Sequence, residues 1–501
     1  MRKRFEQQTS LGIVPIGEVK INSKTRHELP QLLVGLQYIY VTPSLSEEVF
    51  SILDEKILKG KKSTGRNGMS LWEILVLGAV RLNLDTNYDM LHDLANNHME
   101  LRSILGVQEI NTMDGGRFYP LSTIKENVRL LDEQVLKQIS SVVVKAGHEL
   151  KKKEEGEAKL GLRLKTDTYP VQSNVHFPTD LNLLWDCLRS CVRILIIMMS
   201  IKGSNTAGWR NLKWWGREGK RLYRLVSEVH RKKGKDYESR IKTAAENYLK
   251  HAAKLSKKIE EVYAELALMS YENMVLKSLL VELRNYHDLL NKHIDLVDRR
   301  VLQGEKIPHE EKMFSIFEPD VEWLQKGKPN HKVELGHNVL ITTDQFHFIV
   351  DHLVVIKQVD NALVLPLLER LKEQFEQTLY ELLSFSSDKG FFTRLGKQAV
   401  EKEFKQAIIP KKGKKTAKQQ QEESSADFVK LRHAHSAIES NINELEHSGL
   451  NRVPDKTLDG FKKYVALGVL AYNLKRLGRV VIKQECLASV YTRATKPKQA
   501  A

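Results

Sequence analysis

Apolar residues recur at intervals of three and four over most of this chain, the spacing that buries one face of a helix. Ser70 and Glu73 form a capping box. The apolar positions Leu71, Ile74, Leu75 and Leu77 then predict a helix running through Leu84. A second helix is expected from Tyr88 to about Leu105, with Leu91, Leu94, Ala95 and Leu101 on one face. Thr123 and Glu126 make another box, opening a helix that carries Val128, Leu131, Val135, Leu136 and Ile139. Residues 1–60 mix short apolar runs with turn signals, and GKKSTGRNG (60–68) reads as a basic connector. Residues 61–155 are therefore expected to form an all-α domain.

The period changes at 161–178, where apolar residues alternate and Pro170 and Pro178 punctuate. A strand ending near Asp167 is expected there. Helical spacing returns from Leu183 to about Arg300, and residues 241–302 contain neither proline nor glycine, which predicts one very long helix or an antiparallel pair. Strands follow at 332–344 and 346–358 with a tight turn near Asp344, then a helix from Asn361 to Leu383 and a short strand ending at Asp388. A helix at Thr393–Phe404, a strand at 405–410, a polar loop at 410–426 and helices at Phe428–Glu446 and Leu458–Leu477 complete the pattern, with a polar tail at 492–501. Setting aside 181–330 leaves the order βββαβαβα, a mixed α/β core whose halves, 156–180 and 331–491, are separated by a helical insertion after the first strand.

Composition narrows the partners. Of 501 residues, 41% are apolar, enough for a core, and 79 Lys plus Arg face 63 Asp plus Glu, a net charge of +16. Cys187, Cys191 and Cys486 are too few for a disulfide framework and contain no CxxC pair, which suits a reducing compartment. Cys187 and Cys191 lie one turn apart on an apolar face with no histidine near in sequence, so packing is expected of them. No apolar leader occupies the first 25 residues, and the most apolar stretch, Cys191–Ile201, is about half a membrane span and flanked by Arg189 and Arg193. A cytoplasmic protein without membrane contact and with a polyanionic partner, nucleic acid above all, is the expectation. Residues 201–260 hold 17 Lys plus Arg against 6 Asp plus Glu, interleaved with Trp209, Trp214, Trp215 and Tyr223. Trp214, Trp215, Arg217, Lys220 and Arg221 are the DNA-contact candidates. Such a segment either binds phosphates and stacks on bases, or is a solvated face whose tryptophans dock it. PKKGKKTAK (410–418) reads equally as a phosphate-touching loop or a linker, and Lys61, Lys62 and Arg66 hint modestly at DNA.

Three carboxylates could carry chemistry: Asp167 and Asp388 at predicted strand ends, and Glu439 within a later helix among small and polar neighbours. Strand ends are where open sheets place ligand crevices. Converging carboxylates repel one another unless hard divalent cations neutralise them. Spacing alone leaves the alternative of two turn aspartates and a solvated glutamate.

The local wording goes further. LKTDTYPVQSNVHFPTDLNLLWD (164–186) resembles the first-aspartate region of insertion-sequence DDE transposases, and 327–355 resembles their next two strands. SFSSDKGFFT (384–393) resembles their second-aspartate segment, 432–478 their glutamate and closing helices, and 65–98 their helical leader. The likeness is greatest to ISNCY-type transposases. It implies a ribonuclease-H-like five-stranded core with Asp167, Asp388 and Glu439 brought together across 221 and 51 residues of sequence. It further implies two Mg²⁺ or Mn²⁺ ions on those carboxylates, Asp388 bridging, hydrolysis at transposon ends and transfer of the 3′-OH to target DNA. Double-stranded DNA, assembly as at least a dimer on it, a helix-turn-helix-like unit in the leader and a prokaryotic, nucleoid-associated setting follow from the same likeness. The Tyr, Arg and Lys that some relatives carry around the glutamate are missing: Ser436 precedes Glu439 by three residues and Glu446 follows by seven. Lys389, Arg394, Arg432, His433 and His435 are the phosphate-contact candidates beside the site, and Asp180 and Asp186 are read as caps or cleft-edge residues. The alternative function is a DNA-binding descendant of a transposase that no longer cleaves.

Overall fold

A computed structural model of the protein describes residues 2–5, 14–60, 68–107, 117–156, 158–202, 209, 211–232, 234, 236–271, 273–325, 333–376 and 379–494. Lys61, Lys62 and Arg66 lie outside the described residues. The chain divides into two compact units, Met1–Asn174 with Leu324–Ala501, and Val175–Trp323. The second unit thus begins and ends several residues earlier than the insertion expected at 181–330. No helix of the described residues is long and apolar enough to cross a membrane.

The first unit is built on a mixed sheet of seven strands: β1 (Leu160–Ser173), β2 (Glu322–Gln325), β3 (Val333–Thr343), β4 (Ile349–Val355), β5 (Tyr380–Ser387), β6 (Gln406–Ile408) and β7 (Arg452–Val453). β3 runs antiparallel to both β1 and β4, and β5 runs parallel to β1 and to β6. The five main strands therefore lie in the order β4-β3-β1-β5-β6. The short β2 and β7, which carry little pattern of their own, were not expected from the sequence.

β1 does not stop near Asp167 but continues to Ser173, through Pro170. Its partner β3 stays paired along this stretch, from Lys165↔Thr343 to Gln172↔Gly336. The parallel partner β5 ends opposite Thr166, and β7 begins only opposite Gln172. The amides of Gln172 and Asn174 donate to β7 and its preceding residue, so even-numbered amides point to that side. Pro170 lacks its N–H where there is no ladder to receive it, and a proline is tolerated at such a gap.

Around the sheet, the helix Leu458–Ala494 packs on Leu29–Val41, Leu71–Asn83 and Glu133–Glu155. It is much longer than the expected 458–477. Gly35 and Gly478 let two of these helices touch backbone to backbone; an added Cβ would lie 2.1 Å from the Leu474 carbonyl and 1.8 Å from that of Gln31. Residues 61–155, read from sequence as a domain of their own, instead bury Leu75, Leu136, Ile139 and Val143 in the same core as Leu340, Phe385 and Leu470. Each helix has too little apolar surface to close a separate core, and the sheet offers a face to cover. The Ser70–Glu73 capping box forms as expected. Thr123 instead lies inside a short helix, Leu121–Val128, and the long helix after it is capped by Asp132. His98 caps a break in the predicted 88–105 helix. Thr416 and Gln419 form a box that turns part of the expected 410–426 loop into helix Ala417–Glu423.

His352 on β4 is buried, and its Nε2 has no hydrogen-bond partner among the described residues. Burial, with Lys137 and Arg370 nearby, pushes its pKa down to about 3. An unfolded histidine takes its proton near 6.5, so this group favours the fold above that value and the benefit is lost as pH falls toward 3. His352→Leu should therefore flatten acid unfolding between those limits, where the wild type loses about 1.4 kcal/mol per unit to this site. Urea titrations across pH 4–7 measure it, and parallel slopes for both proteins would count against it.

The second unit is a helical assembly of Asp180–Lys202, Leu212–Arg231, Tyr237–Ser270 and Met274–Val297. The proline- and glycine-free run forms two helices, the first ending at Ser270 and the second starting at Met274 with the Asn273 side chain as its cap. Leu188, Leu195, Tyr248, Leu255, Leu283 and Leu290 lie in its own core.

Candidate active site

Thr166↔Ser387 is the last parallel pair between β1 and β5, so Asp167 and Asp388 are the next residues on adjacent strands. Register sets them on the same face: Lys165 pairs with Ser386, and side chains two residues apart share a face. Adjacent strands lie only about 4.8 Å apart, which brings the two carboxylates together however long the intervening chain.

The glutamate arrives on a helix that covers this face. The expected Phe428–Glu446 helix is bent at Ser436 into Ala426–His435 and Ala437–Leu445. Ile438, Asn441 and Leu445 face inward, and Asn441 Oδ1 meets Tyr472 Oη at 3.2 Å and His347 Nδ1 at 2.9 Å. Glu444 pairs with buried Lys475 at 2.8 Å and with Arg479 at 2.8 Å. These contacts set the rotation of the helix and leave Glu439 exposed toward a cavity of about 350 Å³ that Asp388, Lys389, Arg432 and His435 also line.

Electrostatics tie the group together. Burial raises the Asp167 carboxyl to about 7, helped by the charges of Asp388, Asp360 and Glu439, against a hydrogen bond from the Thr168 amide. Asp388 itself is 70% exposed. Asp360, which follows β4, was not singled out from sequence. It accepts a 3.0 Å hydrogen bond from Thr168 Oγ1 and packs on Gly390, where an added Cβ would lie 2.9 Å from its Oδ2. Nothing in the surrounding KQVDNA marks it, because its role comes from a crossing of loops.

Two basic groups complete the face. His435 Nδ1 lies 3.1 Å from Ser386 Oγ and its Nε2 3.6 Å from Asp388 Oδ1. Burial lowers its pKa, only partly opposed by Asp388 and Glu439 and reinforced by Lys165, so the neutral ring is favoured. Lys165, buried two residues before Asp167, is likewise lowered by burial. It too escaped the sequence reading. Arg432 and Lys389 are exposed at the cavity wall, whereas Arg394 is exposed on the next helix and His433 is exposed on the turn before His435.

The donor set suits hard divalent cations: carboxylate oxygens at a sheet end, crowded enough to hold one of them protonated near neutrality. Asp167, Asp388 and Glu439 would hold such ions, with Asp360 beside them. As the side chains stand, no group of three His, Cys, Asp or Glu among the described residues is drawn up tightly enough to ligate an ion.

In the helical unit, the face of Leu212–Arg231 opposite Leu212, Gly219, Leu222 and Val226 carries Lys213, Arg217, Lys220, Arg221 and Arg224, all exposed. Arg221 is engaged by Glu218 through bonds of 2.9 and 2.6 Å. Of the four aromatics proposed for stacking, Trp209 is buried, Trp215 packs on it and on His251, and Tyr223 stacks on Trp185. Trp214 is 45% exposed, with its ring in edge contact with Trp215 and His251. Cys187 and Cys191 are buried, as expected, but a histidine does approach: His293 Nδ1 lies 3.8 Å from Cys187 Sγ. Asp180 pairs with Arg300, and buried Asp186 with Arg189 and His176, so both serve this unit's own packing.

No protein-family model matches the chain, and neither a curated protein nor a solved structure matches it.

Proposed function

We propose that the protein is a DNA transposase with a ribonuclease-H-like catalytic core and an Asp167–Asp388–Glu439 site. The observation that carries the reading is the adjacency of Asp167 and Asp388 at one end of the sheet under the Glu439 helix, with Asp167 raised by burial first and by the charges of Asp388 and Glu439 besides. The strand order β4-β3-β1-β5-β6 puts β1, which carries Asp167, beside β5, which leads into Asp388, and that adjacency supports the reading. Double-stranded DNA is the proposed substrate, both element end and target, and paired ends ask for at least two copies of the chain. When bound, two Mg²⁺ or Mn²⁺ ions would supply Lewis acidity and neutralise charge at the reacting phosphate.

The residues of the chain have separable tasks in this reading. Asp167 and Asp388 present oxygens from adjacent strands, Glu439 from the covering helix. Asp360 holds Thr168 and buttresses Gly390, keeping the two strand ends in register. Neutral His435 stands beside Asp388, where it can take up a proton, and Lys389 and Arg432 offer charge to the DNA backbone at the cavity wall.

Incubation of the protein with Mg²⁺ and DNA carrying its own element's ends should give cleavage that Asp388→Asn abolishes without loss of DNA binding. Equal cleavage by both proteins would sink the site. Binding without cleavage in the wild type would favour the non-cleaving descendant.

A further inference from the structure

A second basic recess in the sheet-bearing unit takes no part in the carboxylate site. It has a volume of about 940 Å³ and lies where the end of β1, the 84–88 turn, the Arg129 turn and the start of the helix Leu458–Ala494 meet. Arg81, Arg129, Arg452, Lys456 and Lys463 line it against two carboxylates, Asp85 and Asp455.

The recess is built rather than incidental. Arg81 is 5% exposed and sits over the ring of Tyr88 at 4.1 Å and near that of Tyr464 at 5.1 Å. It spends its terminal nitrogens on Asp455, at 2.8 and 3.3 Å, while its buried Nε has no hydrogen-bond partner. Asp455 is thereby committed to Arg81, and Arg129 and Lys456 form no ion pair among the described residues. Arg452 is held toward Asn174 by a 2.7 Å bond, and Lys463 donates to the Arg129 carbonyl. Burial lowers the Lys463 ammonium, opposed by Asp455 and assisted to a smaller degree by Arg129 and Arg81. An anion entering here meets the exposed cations Arg129, Arg452 and Lys456 gathered around the buried and fixed Arg81, and can take charge-assisted hydrogen bonds from several of them at once.

Position selects the anion. Asn174 follows β1, the strand that carries Asp167, and seven residues of strand span roughly 20 Å. At about 3.4 Å per base pair, that is about six base pairs of duplex. We propose that this recess is a second DNA-binding site, holding backbone phosphates about six base pairs from the phosphate at the carboxylate site. The inference rests on the transposase reading and extends it: the basic insertion is not the sole grip on DNA, and the sheet-bearing unit carries its own.

The test compares the full chain with R129A/R452A/K456A, substitutions at exposed residues, and with K20A/K24A/K59A as a charge-matched control elsewhere on the surface. Anisotropy of a labelled duplex is titrated over a range of salt. The recess variant should bind on the order of tenfold or more weakly, and its slope of log K on log salt should be shallower by about 0.9 for each phosphate that the protein no longer neutralises. Unchanged thermal unfolding of the variant certifies its fold. Affinity and slope equal to those of the control triple overturn the inference, as does tighter binding of polyglutamate than of duplex at equal salt. Wild-type cleavage that is blocked in Asp388→Asn, together with an indifferent recess variant, removes the recess and leaves the transposase reading intact.

Discussion

Without divalent cations, the wild-type protein should lose stability as pH rises from 5 to 8.5, relative to Asp167→Asn. The sign follows from the raised carboxyl. Unfolded, Asp167 ionises near 3.8; folded, near 7, so between those values the native state holds a proton that the unfolded state has released. Stability attributable to the group is intact below about 3.8 and falls until pH passes about 7. The shift of about three units corresponds to a penalty on the order of 4 kcal/mol above neutrality. Asparagine keeps the size and the amide contact but never ionises. Its midpoint temperature should exceed the wild type's at pH 8 and approach it near pH 4. The lowered histidines, His435 and His352 among them, act in the opposite direction and are common to both proteins, so the difference isolates Asp167. About millimolar Mg²⁺ should erase much of the wild-type deficit at pH 8, since a ligand that binds only the folded state stabilises it by mass action. Parallel pH profiles for the two proteins would mean that Asp167 is not under the strain assigned to it.

Cleavage should respond to the four carboxylates unequally. Asp167→Asn and Asp388→Asn each remove an oxygen donor from the sheet end and should lower the rate by on the order of 10³ or more, the scale of losing a preorganised electrostatic group at a reacting centre. Glu439→Gln should fall in the same range, because Asn441 and Glu444 hold its helix rigidly and no neighbouring acid on that helix can replace it. Asp360→Asn should cost on the order of 10–100-fold, as for a residue that orients another, since asparagine can still accept from Thr168 Oγ1. Asp360→Ala, which cannot, should be the worse of the two. Single-turnover cleavage at saturating DNA measures all five variants. An Asp360→Asn as inactive as Asp388→Asn would move Asp360 among the groups that touch the reacting phosphate.

Much of this was legible in the chain because it is local. The alternation at 161–178, the runs at 332–358 and the Ser70–Glu73 box are short-range patterns, and each formed close to where it was read. The three carboxylates were legible through wording that resembles a known family, not through spacing. The errors fall where a long-range partner decides. β1 runs past Asp167 because β3 stays beside it, and Pro170 is harmless because the ladder on its side has a gap. Tyr223 and Trp215, promising as stacking residues, are taken up by Trp185 and Trp209.

By itself the amino-acid sequence determined the order of the five main strands along the chain, most of the helices after residue 70, the insertion between strand one and the rest, and the positive surplus. These depend on periodicity and composition, which neighbours along the chain settle. Tertiary structure alone decided that the N-terminal helices share the sheet's core, that Asp360 and Lys165 lie at the candidate site, and that four other cations gather around Arg81. Those outcomes depend on strand register and helix crossings, whose energies come from burying surfaces far apart in sequence, and no local pattern encodes which surfaces will meet.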